Sequence, residues 1–378
     1  MATDYTLYGS EHSYYTGKAR SYMRFKGLAF AEQPATREVY KRVILPNIGA
    51  PIIPVLATAD GRYVQDTTDI IDFLEARHPQ GSVYPQAPVQ RLVALLLELF
   101  GDEWLIIPAM HYRWSVLDAQ YEFVMSEFGR LSNPDASFEE QVALGEKLSR
   151  PFRGMVEPLG ITRETIPGIE AAYQVFLEQL DRHFAQHNFL FGSRPCIGDF
   201  GLMGPLYAHL GRDPVPLALM RACAPNVCAW VQRMNAPRPL EGEFLAHDEV
   251  PETLLPILET LCRDQLPDVL DVITHNSRWL QDNPGGSIPR FLGMHAFSFG
   301  DARGERMVSS YAQWLFQRPW WHYHSLSGSA RSAADALLER VGGLEAMQCK
   351  LVHWLERRPG QLELVAGSAP AAGQQGLP

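Results

Sequence analysis

The chain has 378 residues, 46% hydrophobic and 20% charged, which excludes a disordered or fibrous protein and leaves room for two or three globular domains. A formal net charge of -10 supplies no positive field to draw in phosphate backbones, and the five scattered cysteines form no C-x-x-C pair of the zinc or redox kind. Neither nucleic-acid binding nor a disulfide framework is expected.

In chain order, the first ten residues lack the basic stretch and apolar segment of a signal peptide. The most apolar run, 92–100, is broken by Glu98 and is far shorter than the roughly 20 residues of a membrane span. A cytoplasmic protein that does not enter a membrane is therefore expected. Residues 5–9 have the pattern of a short strand, 16–26 that of a helix, and 52–57 form a compact β-branched run. Asp60-Gly61 marks a turn, after which 62–65 reads as a strand and 67–78 as a helix carrying Ile70, Ile71, Phe73 and Leu74. The alternation predicts a small α/β domain over 1–85, with Pro79, Pro85 and Pro88 marking a linker.

Helical spacing then dominates at 89–99, 170–187, 200–210 and 228–234, predicting an all-helical domain over 86–246. A mainly helical extension over 247–378 is predicted from the patterns at 254–262, 267–279 and 332–338. Between them the alternation Phe297-Ser298-Phe299-Gly300 reads as a short hairpin or a long loop. The tail after Gly367 is small, polar and proline-containing, and is expected to be disordered.

Three segments of the first domain can carry chemistry. In Ser13-Tyr14-Tyr15-Thr16, at a strand-to-helix junction, the serine either caps the helix or donates a hydrogen bond to an anion beside the helix dipole. In Ile53-Pro54-Val55-Leu56 the proline must sit at a strand start or edge. A cis bond there would turn the Ile53 backbone toward an extended peptide ligand. In Asp66-Thr67-Thr68-Asp69 the first carboxylate can receive an ammonium while the Thr67 hydroxyl and N–H bind a carboxylate. The same residues also read as an ordinary capping box.

In order and spacing these segments resemble the thioredoxin-like N-terminal domain of glutathione S-transferases. The resemblance implies that glutathione is the co-substrate: Asp66 and Thr67 hold its γ-glutamyl end, Ile53 beside Pro54 pairs with its cysteinyl backbone, and Lys41 or Asn47 reaches its glycine carboxylate. It also implies that Ser13 donates to the thiolate, with Tyr8, Tyr14 and Tyr15 near enough to compete. Serine in place of cysteine argues against thiol–disulfide exchange.

In the helical part, Cys196-Ile197-Gly198-Asp199 resembles the family's capping box, with cysteine replacing Ser or Thr. Trp104, His111, Tyr112 and Trp114 stand where family members build the apolar co-substrate pocket, or else pack a core. Trp320-Trp321-His322-Tyr323-His324 has two histidines but no adjacent carboxylate or cysteine, so no metal is expected. The family's fold is a thioredoxin-like α/β domain followed by an all-α domain. Its activity is thiolate attack on, or isomerisation of, a small hydrophobic electrophile by a homodimer. The alternative is a non-catalytic binding or scaffold protein. The resemblance fades after about residue 246, and the extension is expected to cover or complete the substrate pocket.

Overall fold

The computed structural model describes residues 4–357 and 364–369; the tail expected to be disordered lies, from 370 on, outside the described residues. Tyr5, Leu7 and Gly9 alternate inward along β1 (Tyr5–Gly9), the period-two pattern of a half-buried strand. β1 runs parallel to β2 (Phe30–Pro34) and antiparallel to β3 (Val55–Thr58), which pairs with β4 (Tyr63–Gln65), giving the order β2-β1-β3-β4. α1 (Tyr14–Phe25) and α2 (Thr67–Arg77) complete this thioredoxin-like unit.

β2 carries no apolar alternation because it is an edge strand with no fully buried residue, where Pro34 costs no ladder bond. The strand expected over 52–57 begins only at Val55, since Pro54 has no N–H to donate. The Ile53-Pro54 bond is cis.

An all-helical domain follows: α3 (Pro88–Glu103), α4 (Ile106–Trp114), α5 (Tyr121–Ser132), α6 (Phe138–Leu148), α7 (Ile166–Phe184), α8 (Ile197–Ala208), α9 (Pro214–Cys223) and α10 (Pro225–Asn235). α8 begins in a capping box in which the buried Asp199 carboxylate accepts the Cys196 N–H at 2.9 Å. Asp199 also accepts the Leu190 N–H at 3.1 Å and the Trp230 indole N–H at 3.0 Å, so one side chain ties three segments.

The chain continues through α11 (Leu266–Asp282), α12 (Tyr311–Ser325) and α13 (Gly328–Arg340). β6 (Phe291–Phe299) and β7 (Ala302–Ser309) form a hairpin, resolving the expected hairpin-or-loop. β5 (Ser287–Ile288), β9 (Leu364–Gly367) and β8 (Trp354–Arg357) form a small antiparallel sheet. The extension shares the protein's main core: Phe299 stacks on Trp104 with ring centroids 5.4 Å apart, and α12 packs along α3. Among the described residues, no helix is long and apolar enough to cross a membrane.

Candidate functional site

Ser13 adopts extended backbone angles at the start of α1, and its Oγ accepts the Thr16 N–H at 3.3 Å, so it does cap the helix. The next two side chains turn toward α3. The buried Tyr14 hydroxyl donates to the Gly101 carbonyl, and the Tyr15 hydroxyl donates to the Asp102 carbonyl at 3.1 Å. Burial, then the charges of Glu103 and Asp102, hold Tyr15 well above its ordinary pKa, which keeps it a proton donor rather than a base.

Asp66 sits at the start of α2 with a φ of 85°, a left-handed conformation costly for a residue other than glycine. Its Oδ1 accepts the Thr68 N–H at 2.8 Å. Its Oδ2 is held from the extension: the Tyr311 hydroxyl donates to it, and the Arg357 guanidinium lies 3.2 Å away. Arg357 also reaches Asp69 at 3.2 Å and the Gln65 side-chain oxygen at 2.8 Å. A cation from the far end of the chain thus occupies the place that the sequence assigns to a ligand's ammonium.

These groups border a cavity of about 470 Å³, inside the roughly 300–1,000 Å³ range of small-molecule sites. One side is Tyr15, Ile53, Pro54, Gln65, Asp66 and Thr67 of the N-terminal domain. A second is the apolar wall of Ile106, Met110, Phe152, Met155 and Leu159, with Asp102 and Glu103 at its edge. The third belongs to the extension and includes Arg290, Arg306, Tyr311 and Arg357. Asp102 is matched by Lys18, whose Nζ lies 2.5 Å from it and 2.8 Å from Glu98 in the buried interior. Glu103 has no ion-pair partner among the described residues. Burial, then the Asp102 charge, push its carboxyl up to about 8.

The cavity therefore gathers Tyr15, Ile53, Pro54, Asp66 and Thr67 but not every expected residue. Ser13 and Tyr14 do not line it. Lys41 and Asn47 are exposed on the helical turns after β2, away from its walls, and the Asn47 amide donates to the Val43 carbonyl.

Of the two readings of the aromatic cluster, pocket or core, the structure has the packed core. Trp104, His111, Tyr112 and Trp114 are all buried and none lines the cavity. Trp104 stacks on Phe299, His111 bonds Glu170 at 3.0 Å, Tyr112 packs on Tyr173, and Trp114 on Phe128. The apolar wall is instead built from Ile106 and Met110, on the neighbouring face of α4, and from 151–159. His322 and His324 hydrogen-bond to the carbonyls of Pro88 and Met347. The acid–histidine group in the described residues lies elsewhere: Asp271, His275 and His295, with His295 Nδ1 2.8 Å from Asp271.

Sequence reasoning missed Gln65, Glu103, Arg290, Arg306, Tyr311 and Arg357. Arg306 had one readable signal, a charge preceding the apolar Met307-Val308 in a segment with strand alternation. Arg357 had none, since its partners lie almost the whole chain away.

Residues 7–82 match the family model described as the glutathione S-transferase N-terminal domain, and residues 162–237 match that of the glutathione S-transferase C-terminal domain. Among solved structures the chain is similar to a rice glutathione S-transferase in complex with glutathione, at 18% identity and a TM-score of 0.35, covering 64% of this chain and 94% of the other. It is similar to a glutathione S-transferase from Rhodospirillum rubrum at 18% identity and a TM-score of 0.39, covering 66% and 96%. A β-etherase from Sphingobium sp. strain SYK-6 is similar at 16% identity and a TM-score of 0.42, covering 63% and 96%. No curated relative matches the chain.

Proposed function

We propose, since the chain belongs to the glutathione S-transferase family, that it activates the glutathione thiol for attack on the electrophilic carbon of a largely apolar co-substrate. The observation that carries this reading is that a single cavity touches both Ile53, Pro54, Asp66 and Thr67 and the apolar wall of Met110, Phe152, Met155 and Leu159. A tripeptide lying along the first set would present its sulfur to an electrophile resting on the second.

The γ-glutamyl carboxylate meets the Thr67 N–H at the start of α2, and the ammonium meets Asp66. A hydroxyl of the 13–15 segment stabilises the thiolate by hydrogen bonding, which raises the fraction of the attacking species. Tyr15 lines the cavity and Ser13 does not, so Tyr15, its hydroxyl turning from the Asp102 carbonyl to the sulfur, is the donor we favour. In a substitution the new C–S bond forms as the leaving group departs with its electron pair. The proposed assembly is a homodimer, and a monomer mass by light scattering would exclude it.

One observation favours the second reading, a binding or scaffold protein without turnover: the Asp66 oxygen that an ammonium would use is already held by Tyr311 and Arg357. Isothermal titration with glutathione separates the two, since absence of binding supports the scaffold. If glutathione binds, Tyr15→Phe should lower turnover of chlorodinitrobenzene by about tenfold or more. Ser13→Ala should chiefly reduce stability, by about 1 kcal/mol through loss of the cap. Full activity in Tyr15→Phe would rule Tyr15 out as the donor.

A further inference from the structure

Arg306 projects from β7 and is 2% exposed, yet its guanidinium makes no hydrogen bond among the described residues. Its Nε and Nη1 are both buried without a partner. Its one ion pair is a loose approach of Nη1 to Asp268 at 3.8 Å, and Asp268 is shared with His295 at 3.3 Å. Its guanidinium carbon lies over the Trp104 ring, 5.3 Å from the ring centre. A buried arginine left so poorly satisfied is unusual, because a lone buried charge is among the most expensive groups a protein can carry.

Arg306 also lines the cavity, together with Ile106, Met110, Met155 and Leu159. No carboxylate lining the cavity forms an ion pair with it: Asp66 is paired with Arg357 and Asp102 with Lys18, while Glu103, on which Arg306 acts only at longer range, has none among the described residues. Arg290, which also lines the cavity, lies over Phe291. The cavity thus holds two guanidinium groups, of which Arg306 has only the loose approach to Asp268 and Arg290 has no ion pair among the described residues.

We propose that Arg306 makes its part of the cavity a subsite for a co-substrate that carries a carboxylate on an apolar body. The carboxylate accepts a charge-assisted hydrogen bond from the guanidinium where it borders the cavity. The apolar body lies on Met110, Met155 and Leu159. The inference rests on the reading of the cavity as the transferase site, and it narrows that site's second substrate from any hydrophobic electrophile to an anionic one.

The test compares chloronitrobenzoate with its neutral amide, chloronitrobenzamide, which has the same ring and nearly the same size. Each is titrated calorimetrically into the full chain without glutathione, so absence of turnover leaves the measurement standing. The benzoate should bind about 10- to 100-fold more tightly than the amide, the strength of charge-assisted hydrogen bonds to a desolvated arginine. Arg306→Met should remove that preference, and Arg306→Lys should retain part of it.

Equal affinities in the parent protein would overturn the proposal, whatever the variants do. So would a preference that survives in Arg306→Met. A third outcome also counts against it: no preference between the probes, with weaker glutathione binding in Arg306→Met, would assign the arginine to glutathione's own carboxylate.

Discussion

Glu103 is the last residue of α3, directly after Asp102, and the two neighbouring carboxylates are treated differently. Asp102 faces Lys18, whose ammonium it shares with Glu98, while Glu103 has no cation at contact distance among the described residues. Burial and the Asp102 charge push Glu103 from an ordinary 4.5 to about 8, against the opposing pull of Arg306 and Arg290. The folded chain then keeps a proton that the unfolded chain has already released, so folding binds protons between those two values. The stability this contributes is fully present below 4.5 and is lost as the pH rises through about 8. Glu103→Gln keeps the shape and removes the titration. Parent and variant should therefore have similar denaturant midpoints near about pH 4, and the variant should be the more stable above about pH 8. A difference that stays constant across the range would show that Glu103 does not titrate this way. At this scale the sequence separates two kinds of residue. Asp66 and Thr67 stand out locally, because a carboxylate and a hydroxyl at a helix start have few uses. Arg357 does not, because its value comes from Gln65, 292 residues away.

Among the elements, α3 and α8 cross in close contact behind the site. A Cβ at Gly101 would lie 2.4 Å from the Gly201 carbonyl carbon, and a Cβ at Gly201 would lie 2.7 Å from the Glu98 Cα, so the two helices touch backbone to backbone. The same turn of α3 presents the Gly101 and Asp102 carbonyls that receive the Tyr14 and Tyr15 hydroxyls. Gly101→Ala must push the helices apart, an overpacking cost of about 2 kcal/mol, and should tilt the carbonyl that positions Tyr15. Urea denaturation should show the lower midpoint, and an unchanged midpoint would mean that the crossing is looser than described. The apolar period that marks α3 over 89–99 reveals a buried helix but not which turn of it meets a neighbour. The hairpin β6–β7 was half legible, since Phe297 and Phe299 alternate inward, while the stack of Phe299 on Trp104 depends on the tertiary arrangement. α12 was hidden by Pro319, a helix breaker by local rules that is accommodated inside the helix here. β2 was hidden because an edge strand has little need of apolar alternation.

Across the whole molecule the extension acts as a third wall that is electrostatically fastened to the first domain. Arg318 of α12 meets Asp72 at 2.5 Å, reaches the Tyr84 hydroxyl at 2.6 Å and approaches Glu98 at 3.6 Å. Tyr311 and Arg357 close on Asp66, with Asp69 beside it. Without that guanidinium, Asp66 and Asp69 would stand together with little to offset their repulsion. Even with it, burial and then the Asp66 charge lift Asp69 to about 7. Arg357 therefore plays toward Asp66 the part that a ligand's ammonium would play, and the two compete for one oxygen. Arg357→Ala should leave that Asp66 oxygen held by the Tyr311 hydroxyl alone and the local field more negative, so glutathione should bind more tightly, by several-fold, in the variant than in the parent chain. The same change should slightly lower the denaturant midpoint, because the extension loses one of its fastenings. Isothermal titration of both proteins reads the first effect directly. Weaker binding in the variant would reverse the assignment, making Arg357 a holder of the γ-glutamyl carboxylate rather than a rival of its ammonium.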